Sequence, residues 1–311
     1  MIPVVTPEEM KAVDEAAREP TEVLVHRAGA AVARTAVDMM GGVYGRRVVV
    51  VAGKGNNGAD GRDAAARLER RGVRVQVIEA ADAPGRLPDA DLVVDAAYGT
   101  GFHGEYQAPD PRGAPVLAVD IPSGVSGLTG EAAEGAARAE RTVTFAALKP
   151  GLIFGEGRDR CGVVDVVDIG LDVSRARAAL VEGSDVASWL PRRERDTHKW
   201  KSAVWVAAGS PGMTGAAEMC SRSALRAGAG LVHLGVPGLE SPPGALEVIG
   251  RPLPRAGWDD RVLDELDRFK AVVVGPGLGR TDEQSCPGRR RLPSSTPTAS
   301  TPSTTSTRPP M

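Results

Sequence analysis

Short uninterrupted apolar runs, set between segments whose apolar positions recur every three or four residues, organise the first half of the chain. Val48-Val49-Val50-Val51-Ala52, Val73 to Ile78, Leu92-Val93-Val94, Val116 to Val119, Arg141 to Phe145 and Gly162 to Val167 read as strands. Thr6-Pro7-Glu8-Glu9-Met10 carries the marks of a helix start: an N-cap threonine, a proline at the first helical position and acids in the first turn. The alanine-rich segment from Val23 to Met40 predicts a second helix ended by Gly41-Gly42, and Gly61 to Arg71 predicts a third. Buried-looking strands that alternate with helices imply a doubly wound, Rossmann-like parallel sheet with helices on both faces.

A hydrophilic stretch from about Ser184 to Lys199 interrupts this pattern, after which the alternation restarts. Ala203 to Ala208 and Ala271 to Val274 read as strands, Ala216 to Ala227 and Val262 to Phe269 as helices. From Thr281 onward Ser, Thr, Pro and Arg dominate, too polar to bury a core, and the abrupt change reads as a disordered tail unrelated to the domain before it. The expected organisation is a first domain over residues 1–182, a linker over 183–199, an incomplete α/β domain over 200–280 and a disordered tail over 281–311.

Composition narrows the function classes. With 38 basic against 40 acidic side chains, the net charge of -2 supplies no field for recruiting nucleic acid or an anionic membrane. A small molecule is therefore the expected ligand, and a homo-oligomer the expected assembly. Cys161, Cys220 and Cys286 are too few and too scattered for a disulfide framework or a zinc site, and no apolar run approaches a membrane span. A cytoplasmic protein is expected.

Three polar, glycine-bearing clusters follow strands. Gly53-Lys54-Gly55-Asn56-Asn57-Gly58-Ala59-Asp60-Gly61 reads as a ligand-facing loop, because glycines admit close backbone approach and the amides at a helix start favour an anion. Asp95 closes the next cluster's strand and is followed by Tyr98-Gly99-Thr100-Gly101-Phe102-His103-Gly104-Glu105. Asp120 closes a further strand before Ile121-Pro122-Ser123-Gly124. In a doubly wound sheet, loops at the carboxyl ends of strands build the ligand crevice. Gly53-x-Gly55-x-x-Gly58 also satisfies the dinucleotide fingerprint, with Glu79 about 20 residues on where a ribose-binding acid belongs. A Rossmann-type NAD(P)-dependent oxidoreductase thus stays open, as does a non-catalytic interaction module. Against the oxidoreductase, Asn56-Asn57 and Asp60-Gly61 are poor helix formers at the place where that motif turns into a helix.

Taken in order, Gly-Asn-Asn-Gly-x-Asp-Gly after a strand, Val94-Asp95-Ala96-Ala97-Tyr98-Gly99-Thr100-Gly101 and Val119-Asp120-Ile121-Pro122-Ser123-Gly124 resemble the epimerase domain of the NAD(P)H-hydrate repair enzymes over about residues 1 to 180. The resemblance implies interconversion of the R and S hydrates of NADH and NADPH. It implies that Asn56, Asn57, Gly58, Ala59 and Asp60, together with Gly99, Thr100, Gly101, Phe102, His103, Gly104 and Glu105, hold the substrate. It further implies that Asn57, Asp95 and Ser123 bind potassium, and that Asp120 touches the reacting ring as acid and base. Ala59 stands where the family has a second glycine.

His198-Lys199, Gly209 to Ala216, Arg226 to Leu231 and Gly275-Pro276-Gly277-Leu278-Gly279 are similar to the opening half of the same enzymes' dehydratase domain, which has a ribokinase-like fold and uses ADP or ATP. Gly277 is carried over as a substrate contact there. Trp200 stands where that family has glycine, and its Gly-Thr-Gly-Asp segment has no counterpart here. Loss of the dehydration step is the expectation.

Overall fold

The computed structural model describes residues 1–190, 192 and 194–279. The serine- and threonine-rich tail expected over 281–311 lies outside the described residues. Two units partition the chain, Met1–Pro191 and Arg192–Met311.

In the first unit the elements run β1 (Ile2–Val4), α1 (Pro7–Glu15), α2 (Thr21–Met40), β2 (Arg47–Ala52), α3 (Asn56–Arg70), β3 (Arg74–Glu79), β4 (Leu92–Ala96), β5 (Val116–Val119), β6 (Arg141–Phe145), α4 (Gly155–Arg160), β7 (Val163–Val167), β8 (Ala178–Leu180) and α5 (Gly183–Trp189). Thr6 starts α1 through a full capping box with Glu9, and Gly41 ends α2 in the left-handed conformation that glycine adopts without a Cβ penalty. Six strands form a parallel sheet in the order β3-β2-β4-β5-β6-β7. Strand order reverses at β2, whose two neighbours β3 and β4 continue the chain in opposite directions.

Alternate residues of these strands face two cores. Val48, Val50, Leu92, Val94, Leu117 and Val119 pack under α2 and α3, against Ala28, Val32, Ala64 and Leu68. Val49, Val51, Val93 and Ala118 face the other side, covered mainly by extended segments carrying Leu87, Ala97 and Ala139. The connections after β4 and β5 contain no α-helix, so the second face has only the short α4 near β7. A separate antiparallel pair, β1 with β8, was not legible in the pattern, being three residues on each side.

Two expectations need correction. The segment from Gly53 to Gly61 is not one loop: only Gly53 to Gly55 is, and α3 begins at Asn56. Packing overrides the weak helix propensity of Asn56, Asn57, Asp60 and Gly61. A Cβ at Gly58 would overlap the Gly53 backbone, and one at Gly61 would sit 2.5 Å from Ala96 Cβ and 3.3 Å from Val50 Cγ1. Those glycines let the helix lie directly on the strand ends. The helix-propensity objection to a dinucleotide-binding turn therefore falls. The stretch expected as a linker over 183–199 is also partly folded: α5 occupies Gly183–Trp189, and Asp185 Oδ2 accepts from the Glu182 amide at its start.

The second unit contains β9 (Ala203–Ala207), α6 (Gly215–Arg226), β10 (Leu231–Pro237), β11 (Ile249–Leu253), α7 (Trp258–Leu263) and β12 (Ala271–Val274), with a parallel sheet ordered β11-β10-β9-β12. The helix expected over Val262 to Phe269 is instead α7 followed by a 3-10 turn at Leu266–Arg268. Among the described residues no helix is long and apolar enough to cross a membrane.

If Gly61 is required for contact between α3 and the sheet, Gly61→Val overpacks it. The expected cost is about 1–3 kcal/mol, seen as a lower denaturation midpoint with unchanged slope; an unaltered midpoint would contradict the packing described.

Candidate active site

The carboxyl ends of β2, β4 and β5 open on one cavity of about 850 Å³. Its wall includes Gly53, Lys54, Gly55, Asn56, Asn57 and Asp60 from the β2–α3 junction, Tyr98, Gly99, Thr100, Gly101 and Phe102 after β4, and Asp120 after β5. The cavity thus sits at the reversal of strand order, where an open α/β sheet places its ligands.

At the first junction, Gly55 caps α3 in extended conformation without a side-chain acceptor, and the first intrahelical bond runs from Ala59 N to Gly55 O. The opening amides of the helix are left facing an exposed turn, an arrangement suited to phosphate oxygens. Asn57 projects inward. Its Oδ1 and Nδ2 are buried and have no hydrogen-bond partner among the described residues. A buried, unpaired amide costs about 1–3 kcal/mol, so a ligand that satisfies it gains that much.

Asp120 turns out of β5 with φ +68, a left-handed conformation that costs a non-glycine residue roughly 1–3 kcal/mol. The turn is over-determined. Its amide donates to Val143 O at 2.7 Å, and its Oδ1 accepts from Lys149 Nζ at 2.6 Å and Thr144 Oγ1 at 3.0 Å. Lys149 is 1% exposed, and its ammonium also donates to Thr144 Oγ1 at 2.8 Å and Phe145 O at 3.1 Å. With Oδ1 held this way, Oδ2 faces Gly99: a Cβ built on Gly99 would lie 3.5 Å from Asp120 Oδ2 and 3.5 Å from Asn57 Cβ. Asn57, Gly99 and Asp120 therefore converge.

Asp95 and Ser123 form a second group just behind the Tyr98-Gly99 turn. Asp95 accepts from Ser123 N at 2.8 Å and Ser123 Oγ at 2.6 Å, while Ser123 Oγ accepts from Tyr98 N at 2.9 Å. Burial pushes the Asp95 carboxyl above its ordinary range, opposed by the Ser123 hydrogen bonds. Neither residue lines the large cavity; Asp95 borders a smaller one of about 380 Å³ on the far side, beside Tyr106. Among the described residues no basic side chain pairs with Asp95. His103, Gly104 and Glu105 continue the turn beyond the cavity wall, and Gly58 and Ala59 lie in α3 behind it. Gly277 belongs to the second unit, where its carbonyl accepts from Ser210 Oγ at 3.0 Å.

Lys149 and Asp14, which the sequence reading did not place at the site, belong to this wall. Lys149 gave only a weak signal, a lysine set between Leu148 and Pro150 just past a strand, and Asp14 of α1 gave none. Asp14, Asp60 and Asp120 make the wall strongly acidic. Asp60 is pushed up to about 8, chiefly by burial and then by the charges of Asp120, Asp63 and Asp14. Burial likewise raises Asp14, with Lys149 opposing and Asp120 adding.

Two family models match the chain. The model described as YjeF-related protein N-terminus covers residues 21–86 and 79–151, and the one described as NAD(P)H-hydrate dehydratase covers 204–286. The chain belongs to the NAD(P)H-hydrate repair enzyme family. A bifunctional NAD(P)H-hydrate repair enzyme of Salinibacter ruber is 34% identical to it over 89% of this chain and 65% of that protein. Its counterpart in Mycobacterium tuberculosis is 36% identical over 78% and 54%. The chain thus spans about half to two thirds of the length of these relatives. The crystal structure of yeast ynu0 covers 53% of the chain and 87% of its own at 19% identity, with a TM-score of 0.40.

The Asp60 environment has a pH consequence. Between its ordinary 3.8 and about 8 the folded chain keeps the proton that the unfolded chain has lost, so this group lowers stability progressively as pH rises across that window. Asp60→Asn removes the effect. Its melting temperature should exceed that of the parent by a margin that grows from pH 5 to pH 8 and then levels; a margin independent of pH would contradict the burial assigned to Asp60.

Proposed function

We propose that the first unit is an NAD(P)H-hydrate epimerase, interconverting the R and S hydrates of the reduced nicotinamide cofactors. The observation that carries this reading is the meeting of Asn57, Gly99 and Asp120 in one cavity with the uncapped start of α3. The pyrophosphate takes the first-turn amides of α3, and the hydrated ring lies against Gly99, where the missing side chain leaves room above Asp120. Family membership favours this activity over hydride transfer by a dinucleotide oxidoreductase.

The hydroxyl-bearing carbon neighbours the ring nitrogen. As the C–O bond breaks, the electron pair leaves with oxygen, a carboxyl proton converts the departing group to water, and the ring nitrogen stabilises the resulting cation. Water then adds to either face and returns a proton to the carboxylate, so no net oxidation or reduction occurs. Asp120 is the acid and base of this cycle, with Oδ1 fixed by Lys149 and Thr144 and Oδ2 toward the ring. The Asp120 carboxylate beside the ring favours a cationic intermediate over a neutral ring.

Oxygen donors of the kind potassium prefers are present, Asn57 on the wall of the large cavity and Asp95 on that of the smaller one. Asn57 Oδ1 is buried without a partner, and Asp95 is a fully buried carboxylate without a pairing cation among the described residues. Asn57, Asp95 and Ser123 are the proposed holders, and the ion would supply positive charge between the carboxylates and the substrate pyrophosphate. ADP- or ATP-dependent dehydration is a property proposed only for a complete second domain, and a homo-oligomer remains part of the proposal for the first unit.

Asp120→Asn is expected to keep the circular dichroism of the parent and to slow approach to the R/S equilibrium, followed chromatographically, by at least about 100-fold. Parental turnover by this variant would remove Asp120 from the chemistry. Potassium chloride should raise the melting temperature relative to choline chloride at equal ionic strength, as expected for an ion that binds the folded chain alone. Asn57→Ala should abolish that increment; an equal increment in the variant would exclude Asn57 as a holder.

A further inference from the structure

Glu79 is an acid singled out by the sequence pattern that the proposed epimerase chemistry leaves unused. It ends β3 and, with Ala80 and Ala81, closes the wall of the 850 Å³ cavity at the end remote from Asp120. The rim order is fixed by the sheet: Asp120 follows β5, Gly99 follows β4, the start of α3 follows β2, and Glu79 ends β3. Adjacent strands lie about 4.8 Å apart, so three steps span about 14 Å. A dinucleotide with its reacting ring at Asp120 and its pyrophosphate at α3 must carry its adenosine ribose toward Glu79.

The Glu79 carboxylate is held in place. Arg62 Nη2 donates to Oε1 at 2.7 Å and Oε2 at 2.6 Å, and Nη1 donates to Gly53 O at 2.8 Å, tying the pair to the turn that receives the pyrophosphate. Arg62 stands behind the wall, whereas Glu79 forms part of it.

We propose that the Glu79–Arg62 pair selects the adenosine ribose, accepting a free 2′-hydroxyl and rejecting a 2′-phosphate, so that the unphosphorylated cofactor hydrate is the preferred substrate. The inference rests on the epimerase reading for the direction of the ligand. A ribose hydroxyl donates to a lone pair that Arg62 leaves unused on either carboxylate oxygen. A phosphate would meet a like charge fixed by a guanidinium that is already engaged. Removing the carboxylate charge frees that guanidinium, whose planar fork matches phosphate oxygens. Glu79 therefore decides which cofactor Arg62 admits.

The test compares kcat/KM for NADH hydrate and NADPH hydrate in the parent, in Glu79→Gln and in Glu79→Gln with Arg62→Met. The parent should favour NADH hydrate by at least about tenfold, and Glu79→Gln should shrink that ratio by at least about tenfold, mostly through KM. Arg62→Met should cancel the gain for the phosphorylated hydrate. A parent ratio within about twofold of unity, or a ratio unmoved by Glu79→Gln, overturns the assignment while leaving epimerase activity standing. Calorimetry with ADP-ribose and its 2′-phosphate separates the two claims. Discrimination that disappears in Glu79→Gln supports the ribose assignment even in a chain that epimerises neither hydrate, and failure to bind either probe overturns it.

Discussion

A buried ammonium has to be answered by its surroundings, and Lys149 sets the geometry of the whole rim. An unpaired charge at 1% exposure would cost several kcal/mol, so the chain must bring oxygen to it from the ends of both β5 and β6. Asp120, Thr144 and the Phe145 carbonyl supply that oxygen. Thr144 and Phe145 end β6 and Asp120 follows β5, and the backbone turns sharply at both places: Asp120 and Ala146 adopt positive φ directly after β5 and β6. Orientation of the Asp120 carboxylate is thus a consequence of folding rather than of ligand binding.

The same rim is costly in other respects. Asp14, Glu19, Asp60, Glu79 and Asp120 share one wall, and among the described residues Asn57 is buried without a partner and Asp95 is enclosed with only Ser123 and the Ala97 amide as donors. None of these choices favours the folded chain by itself. Together they leave unmet demands of complementary kinds: an acidic wall suited to a cationic ring, an oxygen and a carboxylate suited to a monovalent cation, and free amides suited to pyrophosphate. The cost is carried by two conventional apolar layers, from Val48 to Leu117 beneath α2 and α3 and from Val49 to Ala118 on the opposite face.

Much of this was legible before the structure. Val116 to Val119 is an uninterrupted apolar run suited to a doubly covered strand, Arg141 to Phe145 is rich in β-branched residues, and both strands have those bounds. A single aspartate at a strand end is most often a structural cap, and Asp95 and Asp120 were visible because glycine-bearing polar clusters recur at three strand ends. The start of α3 was misread, since Asn and Gly signal a loop by local preference, and only contact with Gly53, Ala96 and Val50 makes a helix there favourable. Lys149 and Asp14 were missed for a related reason. Nothing local distinguishes a buried lysine or a cavity-facing helical aspartate from solvated ones; the distinction arises when segments distant in sequence close over them. The strands β10 and β11 also went unread, their apolar runs being broken by His233, Gly235, Gly250 and Pro252.

The central claim is spatial: one dinucleotide lies along the rim with its nicotinamide ring at Asp120 and its pyrophosphate on the opening turn of α3. A crystal structure of the chain grown in potassium with oxidised nicotinamide dinucleotide tests it most directly. The account requires the ring in contact with Asp120 Oδ2 over Gly99, and phosphate oxygens accepting from the amides of residues 56–58. A dinucleotide seated elsewhere, or one whose ring is kept from Asp120 by the surrounding side chains, would contradict it.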